Sequence, residues 1–290
     1  MRKYLKLIRV KHWLKNGIIF LPIFFSLNLL NTNYLFLGLL SFFTFSFTSS
    51  IVYIINDIQD IEKDKLHPMK KKRPLASGEV SKNQAWFVIM IFVIIVGILM
   101  YFLLKQTDNL GVVIIPTIYL IVNVLYSKYL KEIPIIDVVI IVLGFVLRVM
   151  YGGVCVNVEV SKYLYLMIIF GSFYLGFGKR RNEIIKNGDK SRKVLSLYNK
   201  EFLDKNMYVS LSLAIVSYTL WCTDKTTIER IGNDYIFWTI PLLMIILQLY
   251  SLNIEGDSHG DPVEVILSDK KLLAAISIYL IALVLIIYVI

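Results

Sequence analysis

Long apolar segments fill most of this 290-residue chain, and they limit the folds that are open to it. Of its residues, 57% are hydrophobic and 18% are charged, whereas ordinary globular domains carry about 25% charge. A helix that crosses a bilayer needs about 20 mostly apolar residues. In lipid, every backbone polar group must find its partner within a helix or a closed barrel. The sequence therefore predicts an all-α integral membrane protein.

Nine candidate spans follow one another without a Gly/Ser-rich linker or a soluble domain between them. We therefore expect one membrane domain over residues 1–290. The first candidate is short and contains Pro22, which favours a tilted or partly re-entrant segment. The nine spans lie at residues 17–30, 34–55, 84–104, 110–126, 134–153, 162–178, 207–223, 233–251 and 272–290.

The positive charges fall mainly on one side of these spans. The chain has a net charge of +10, and 26 of its 31 Lys and Arg residues lie in the amino-terminal tail and in alternate connections. Basic loops face the cytoplasm in membrane proteins, so we expect a cytoplasmic amino terminus and a carboxyl terminus outside. In a membrane protein such an excess indicates contact with anionic lipid or phosphorylated substrates, and no nucleic acid is expected as a partner.

The stretch NDIQDIEKDKLHPMKKKRP, residues 56–74, places acids and then bases at the end of an apolar span. On a continuing helix, Asn56, Asp60 and Asp64 form one stripe, and Asp57 lies nearly over Asp64. Like charges this close repel one another and favour a cation between them. Oxygen ligands without His or Cys favour Mg²⁺. The competing interpretation is that these acids pair with the following bases in a solvated loop.

Two of those bases are candidates for binding phosphate. If the HPMKKKRP turn folds back, Lys70 and Arg73 reach oxygens that Mg²⁺ also binds, an arrangement suited to a diphosphate leaving group. With Asp57, Asp60 and Asp64, they form the predicted catalytic set. The shared face of the acids, and the position of the bases after them, favour this interpretation over the solvated loop.

Several stretches resemble the UbiA superfamily of intramembrane prenyltransferases, and most closely its polyprenyl-phosphate phosphoribosyltransferases. IRVKHWLKN is similar to the opening RPxxWxKN, with Val10 where Pro is usual and His12 where Gln is common. NDIQDIEKDKLHPMKKKRPLASG is similar to NDxxDxxxDxxHPxKxxRPxAxG. The stretches YSKYLKEIPIID, GFVLRVMYGG, GKRRNE and GDPVEVILSDK also resemble landmarks of that subfamily. The resemblance implies a helical bundle whose central cavity opens to the cytoplasm.

This resemblance also implies an activity: transfer of 5-phosphoribose from 5-phosphoribosyl 1-diphosphate to a polyprenyl phosphate, with Mg²⁺ as cofactor. Where aromatic prenyltransferases of the superfamily carry a second acidic motif, this chain reads GKRRNEIIKNGDKSRK. A loop this basic suits direct binding of phosphate. The resemblance places the protein in a bacterial inner membrane, whereas the oligomeric state is left open, with a homo-oligomer one possibility.

The remaining candidates for substrate binding are charged or polar residues near the predicted cytoplasmic surface. Arg148 differs from them because it lies inside an apolar span, where a charge costs a few kcal/mol unless it is paired or faces a polar cavity; we favour the cavity. For Lys15, a snorkelling anchor is an equal alternative. Glu183 is expected to orient its neighbouring bases or to touch the metal. The other candidates are Asn16, Lys131, Lys179 and Arg180.

Two other functions fit parts of the pattern. An aromatic prenyltransferase shares the first acidic motif, but it predicts a second acidic cluster that the sequence lacks. A transporter or channel fits the number of spans, but it predicts charges across the whole bilayer. Arg148 alone lies deep within a predicted span, so the sequence indicates no continuous polar path.

The charge asymmetry predicts the membrane topology. Alkaline phosphatase, which is active only outside the cytoplasm, should be active when fused after Ile290 and inactive when fused after Gly78. Measured phosphatase activity in intact cells, normalised to the amount of each fusion, tests this. The reverse pattern would contradict a cytoplasmic amino terminus.

Overall fold

The computed structural model describes residues 2–66, 70–187, 193–255 and 262–290, and within these ranges it contains helices and no β-strand. The all-α prediction is therefore confirmed. The α-helices are α1 (Arg2–Leu7), α2 (Leu21–Phe25), α3 (Thr32–Gln59), α4 (Ile61–Leu66), α5 (Lys82–Thr107), α6 (Gly111–Lys128), α7 (Ile136–Cys155), α8 (Lys162–Asn187), α9 (Lys200–Thr223), α10 (Lys225–Ile231), α11 (Ile240–Glu255), α12 (Pro262–Ser268) and α13 (Lys270–Tyr288). Short 3-10 helices cover Val10–Phe20, Lys70–Lys72, Leu130–Glu132, Lys193–Leu197 and Tyr235–Thr239.

Six helical segments in the described part of the chain are long and apolar enough to cross a membrane. They are α3, α5, α6, α7, α13 and the continuous segment Tyr235–Glu255 that contains α11. The chain is therefore a multi-pass membrane protein, although the predicted number of nine spans is not confirmed. The predicted spans at residues 162–178 and 207–223 are parts of α8 and α9. These two helices are not among the six segments, because their polar and charged residues lower their mean hydropathy.

The first predicted span, residues 17–30, is not one continuous α-helix. The chain forms a 3-10 helix over Val10–Phe20 and then the five-residue α2. Pro22 lies in the first turn of α2, where its missing N–H costs no hydrogen bond. Leu27 has φ 63°, a left-handed conformation that turns the chain away from the helix axis. This segment is thus too short and too irregular to be a regular spanning helix.

The described residues group into two compact units, Met1–Leu130 with Leu147–Glu159, and Lys131–Val146 with Val160–Ile290. Helix α7 contributes residues to both. The single domain expected over the whole chain stays a prediction.

In the first unit, a buried apolar cluster lies around the end of α3. It includes Ile54 from α3, Ile61 from α4, and Leu75 and Val80 from the segment that leads into α5. Helix α5 begins at a capping box, in which Ser81 and Gln84 satisfy each other's backbone N–H groups. Burying side chains of this size stabilises the fold by about 1.5–3 kcal/mol each. The cluster therefore fixes the chain on both sides of the acidic stretch.

Helix α3 is apolar in composition but carries a row of buried hydroxyl groups. Most of them donate hydrogen bonds to carbonyl oxygens one turn earlier in the same helix. Ser50 also donates to the carbonyl oxygen of Ile8 at 2.8 Å, and Trp13 Nε1 donates to Ser50 Oγ at 3.0 Å. The hydroxyl row thus anchors the first 3-10 helix. The row consists of Ser41, Thr44, Ser46, Thr48, Ser49 and Ser50.

The second unit has its own apolar core, made by α8, α9, α11, the start of α7 and the 3-10 helix Lys193–Leu197. Val194 and Leu195 of that 3-10 helix are fully buried and belong to the same cluster as Val138 and Leu203. The charged connection predicted over residues 179–206 is therefore largely helical in its described part. In its carboxyl-terminal half, Val194, Leu195, Tyr198 and Leu203 face the core, whereas Leu197 and the side chains of Glu201 and Lys205 are exposed.

Gly152 in α7 lies directly against the backbone of the first 3-10 helix. A Cβ atom at this position would lie 2.1 Å from the carbonyl oxygen of Ile19, a backbone atom that cannot rotate away. We expect Gly152→Ala to lower the unfolding free energy by about 1–3 kcal/mol through overpacking, measured by thermal or denaturant unfolding in detergent.

Gly97→Ala in α5 is the matched control, because nothing lies within 4 Å of its added Cβ. Alanine is the better helix former, so this substitution should leave stability unchanged or raise it slightly. Equal effects at the two positions would contradict the close approach at Gly152.

Candidate active site

Two carboxylates of the acidic stretch meet at one arginine. Arg73 Nη1 donates to Asp57 Oδ1 at 3.1 Å and to Asp64 Oδ2 at 2.7 Å. Asp57 and Asp64 are each 3% exposed, whereas the Arg73 side chain is 27% exposed. The structure thus brings three of the predicted catalytic residues into direct contact.

The acids do not lie on one uninterrupted helix, as the sequence predicted. Helix α3 ends at Gln59, Asp60 has φ −97° and ψ 10°, and α4 begins at Ile61. Backbone hydrogen bonds still bridge the break, from Asp60 N to Asn56 O at 3.0 Å and from Asp64 N to Asp60 O at 2.8 Å. Asp57 and Asp64 remain on the same side, since both contact Arg73, and Asn56 and Asp60 are half-buried.

Arg9 is a second cation at this cluster, and the sequence reasoning did not select it. Arg9 Nη2 donates to Asp57 Oδ1 at 2.6 Å, and its guanidinium lies over the ring of Tyr53 at 4.8 Å. Arg9 has φ 53°, at the point where α1 gives way to the first 3-10 helix. Its place in the IRVKHWLKN stretch was the available signal, but nothing local pointed to a partner 48 residues away.

Lys70 opens the 3-10 helix Lys70–Lys72 and is half-buried, and its carbonyl oxygen accepts from Arg73 N at 2.9 Å. Residues 67–69, which include His67, lie outside the described residues. The return of the basic stretch toward the acids is therefore observed at Arg73, while a phosphate contact of Lys70 stays a prediction.

Arg148 is enclosed by polar and aromatic side chains in the first unit. Arg148 Nε donates to Asn16 Oδ1 at 2.7 Å, and Nη2 donates to the hydroxyl of Tyr119 at 3.0 Å. The guanidinium lies about equally far from the rings of Phe45 (5.1 Å) and Tyr119 (5.0 Å), an arrangement that stabilises a buried cation. At 6% exposure, Arg148 is thus a buried and well-coordinated charge. Its predicted role in lining a cavity stays a prediction.

Asn16 links Arg148 to the hydroxyl row of α3. Asn16 Nδ2 donates to Ser46 Oγ at 2.9 Å and to Ser49 Oγ at 3.4 Å, so both ends of its amide are used. The neighbouring Lys15 is half-buried. Asn16 therefore joins Arg148 of α7 to the hydroxyl row of α3. Its contact with substrate stays a prediction.

A second arginine-centred cluster lies in the second unit. Arg180 Nε donates to Asp137 Oδ2 at 2.5 Å, and Arg180 Nη1 donates to Glu183 Oε2 at 2.7 Å. Arg180 is 1% exposed and Asp137 is fully buried. Glu183 thus contacts Arg180, while its role in orienting the neighbouring bases or touching the metal stays a prediction. Arg180 is more enclosed than a phosphate-binding residue on a surface loop would be.

The other predicted bases of the second unit are more open. Lys131 in the 3-10 helix Leu130–Glu132 and Lys179 in α8 are both half-buried. Arg181 of α8 donates to Asp204 of α9, with Nε 2.5 Å from Oδ1. A phosphate contact of Lys131 or Lys179 stays a prediction.

The chemistry of the donors in the first unit fits a small, hard divalent cation. Two buried carboxylates already converge on one positively charged nitrogen, and an amide oxygen and a third carboxylate lie nearby in sequence. Within the described residues, no group of three or more His, Cys, Asp or Glu side chains is close enough to hold a metal ion by itself. Mg²⁺ is commonly bound by one or two carboxylates together with substrate phosphates, so the pair Asp57 and Asp64 fits that use.

Residues 18–265 match the UbiA prenyltransferase family. Over 274 residues the chain is 31% identical to the decaprenyl-phosphate phosphoribosyltransferase of Corynebacterium glutamicum, covering 92% of this chain and 81% of that protein. It is 31% identical over 242 residues to the enzyme of the same name from Mycolicibacterium smegmatis, covering 80% of this chain and 74% of that protein. A solved UbiA homolog from Archaeoglobus fulgidus, bound to GPP and Mg²⁺, has the same fold with TM-score 0.69 at 20% identity, over 99% of this chain and 100% of that chain.

If Arg73 holds the two carboxylates together, its loss should leave Asp57 and Asp64 to repel each other unless another cation binds between them. We expect Arg73→Gln to lower the unfolding free energy by about 1–3 kcal/mol, less than for a fully buried pair because Arg73 is partly exposed. Added Mg²⁺ should then raise the unfolding temperature of the variant more than that of the wild type, as measured in detergent.

Lys72→Gln provides the control, since it removes one positive charge from an exposed side chain in the 3-10 helix Lys70–Lys72, which directly precedes Arg73. Its response to Mg²⁺ should match the wild type. Equal stabilisation of all three proteins by Mg²⁺ would show that the carboxylates are not released by the loss of Arg73.

Proposed function

Because this chain belongs to the UbiA prenyltransferase family, we propose that it transfers the 5-phosphoribosyl group of 5-phosphoribosyl 1-diphosphate to a polyprenyl phosphate, releasing diphosphate. The relatives named decaprenyl-phosphate phosphoribosyltransferases support both substrate classes. The observation in the structure that carries the proposal is the convergence of Asp57 and Asp64 on Arg73. In such a cluster the carboxylates can bind a metal ion, and the arginine can bind the oxygens of a diphosphate that the metal also binds.

In this proposal the first unit handles the leaving group. Mg²⁺ held by Asn56, Asp57, Asp60 and Asp64 would supply a Lewis acid that offsets the negative charge of the departing diphosphate. Arg73, Arg9 and Lys70 donate hydrogen bonds to the diphosphate oxygens, and arginine forms such contacts with two N–H groups at once. When diphosphate accepts hydrogen bonds from these donors, it pairs with the positive charge that is otherwise paired with Asp57 and Asp64.

The bond changes occur at the anomeric carbon of the ribose. The bond from that carbon to the diphosphate oxygen breaks, and a bond to an oxygen of the lipid phosphate forms. The lipid phosphate is already an anion and attacks without a general base, so no side chain has to remove a proton. The contribution of the protein is to orient two anions and to neutralise their charge.

The phosphate monoesters of the two substrates need further cations. We assign direct contacts to Lys15 in the first unit and to Lys131 and Lys179 in the second, since their side chains are half-buried and basic. Arg148 with Asn16, and Arg180 with Glu183, are buried and paired. We assign to these pairs the task of orienting the segments that carry the lysines.

The proposed setting is the inner membrane of a bacterium, with the amino terminus and the acidic cluster on the cytoplasmic side, where a soluble sugar diphosphate is available. Transfer of a prenyl group from prenyl diphosphate to an aromatic acceptor is the alternative within the family. It predicted a second acidic cluster. Asp137 and Glu183 are both engaged by Arg180, which is 1% exposed, whereas Arg73, which contacts Asp57 and Asp64, is partly exposed.

Labelled donor tests the proposal directly. Purified protein with Mg²⁺, polyprenyl phosphate and labelled phosphoribosyl diphosphate should form a labelled lipid. Asp60→Asn and Asp64→Asn should each lower turnover by about 100-fold or more, because the charge that develops on diphosphate is then less well neutralised.

Glu62→Gln is the matched control, since Glu62 lies between these acids in sequence but is exposed and paired with Lys65. It should retain wild-type turnover. Full turnover in both Asp variants would refute the metal assignment, and a labelled product from prenyl diphosphate and an aromatic acid would favour the alternative.

A further inference from the structure

The turn before α7 has a backbone conformation that its residue type disfavours. Ile135 has φ 70°, in the left-handed region, which a β-branched residue rarely adopts. Its carbonyl oxygen accepts from Val138 N at 3.0 Å and from Val139 N at 2.8 Å, so the first hydrogen bonds of α7 start from this residue. Conformations of this kind persist where the surroundings enforce them, and they cluster at functional sites.

The hydroxyl of Tyr198 contacts both sides of this turn. The N–H of Ile135 donates to Tyr198 Oη at 2.5 Å, and Tyr198 Oη donates to Asp137 Oδ1 at 2.7 Å. Tyr198 is buried and directly follows the 3-10 helix Lys193–Leu197, which is anchored in the core by Val194 and Leu195. The phenol is therefore held firmly enough to impose a position on the turn.

Asp137 connects Tyr198 to α8 through its two carboxylate oxygens. Its Oδ1 accepts from Tyr198 and its Oδ2 accepts from Arg180, which in turn donates to Glu183. Each carboxylate oxygen thus has its own donor, and rotation of the carboxylate would break one contact or the other. Burial, together with the hydrogen bond to Asp137, raises the pKa of Tyr198, so the phenol keeps its proton and remains a donor.

We propose that Tyr198 is a positioning residue that fixes the Asp137–Arg180–Glu183 network and the turn after Lys131. Through them it sets how a phosphate monoester is bound by Lys131 and Lys179. This inference rests on the proposed function and deepens it, because the ribosyl 5-phosphate and the lipid phosphate are both phosphate monoesters. No sequence pattern indicates this role, since Tyr198 lies in a connection and Asp137 is 61 residues away.

Kinetics of Tyr198→Phe test the proposal, because this substitution removes the hydroxyl and keeps the ring. A lost hydrogen bond to a charged group should raise the KM for one substrate about tenfold or more, while kcat and the other KM change less than about twofold. A rise for phosphoribosyl diphosphate identifies the 5-phosphate, and a rise for polyprenyl phosphate identifies the lipid.

Tyr208→Phe, at an exposed position of α9, should match the wild type. Unchanged KM values for both substrates overturn the proposal.

A second variant separates positioning from simple support of the strained turn. Glycine adopts φ 70° without strain, so Ile135→Gly in the Tyr198→Phe background should restore the unfolding temperature. It should leave the raised KM in place, because the Asp137 contact is still missing. If the double variant recovers the wild-type KM, Tyr198 acts only by supporting the turn, and the positioning role is overturned.

Hydrogen–deuterium exchange tests the coupling independently of the reaction. Without substrate, the backbone amides of residues 135–139 should exchange about tenfold faster or more in Tyr198→Phe than in the wild type and in Tyr208→Phe. Unchanged exchange would overturn the inference even in an active enzyme. A wild-type protein that forms no labelled lipid, yet shows the faster exchange in the variant, would refute the proposed function and leave the coupling intact.

Discussion

A positive charge held between two buried carboxylates is the interaction on which the acidic end of α3 depends. Asp57 and Asp64 are nearly inaccessible to water, and an ionised carboxylate in such a place is stable only when it is paired and hydrogen-bonded. Arg73 meets this need by contacting both acids, and it does so only because Leu75 and Val80 anchor the following chain in the same apolar cluster. The apolar cluster and the charge cluster therefore require each other.

The same solution recurs in the second unit with different residues. Arg180 lies between Asp137 and Glu183 much as Arg73 lies between Asp57 and Asp64. In both places a single arginine side chain engages two carboxylates: Arg73 contacts both acids through Nη1, whereas Arg180 uses Nε and Nη1. The two pairs differ in exposure: Arg180 is enclosed, whereas Arg73 keeps contact with solvent. This difference favours a structural role for Arg180 and a substrate-responsive role for Arg73.

Sequence patterns predicted the parts of this protein that depend on short-range regularity. The apolar length of α3, α5, α6, α7 and α13, and the placing of Asp57 over Asp64, follow from helix periodicity. The partners Arg9 and Tyr198 were missed because their contacts join residues far apart in sequence, and no local pattern specifies them. The 3-10 helix Val10–Phe20 was missed for a related reason, since its contacts with Ser50 of α3 are tertiary. The break at Asp60 was missed because the spacing of the acids fits helix periodicity across it.

The hydroxyl row of α3 has a consequence for how the chain enters the membrane during synthesis. The many serine and threonine side chains of this segment bring hydroxyl groups into the lipid, where an unpaired polar group costs free energy. Because most of these hydroxyls bond to carbonyl oxygens of the preceding turn, α3 can partition into lipid with its polar groups already satisfied. Only afterwards would Ser46, Ser49 and Ser50 receive the amide and indole groups of the amino-terminal segment. The same hydroxyl groups would therefore serve two purposes, first within α3 and then in the contacts that hold the first 3-10 helix against it.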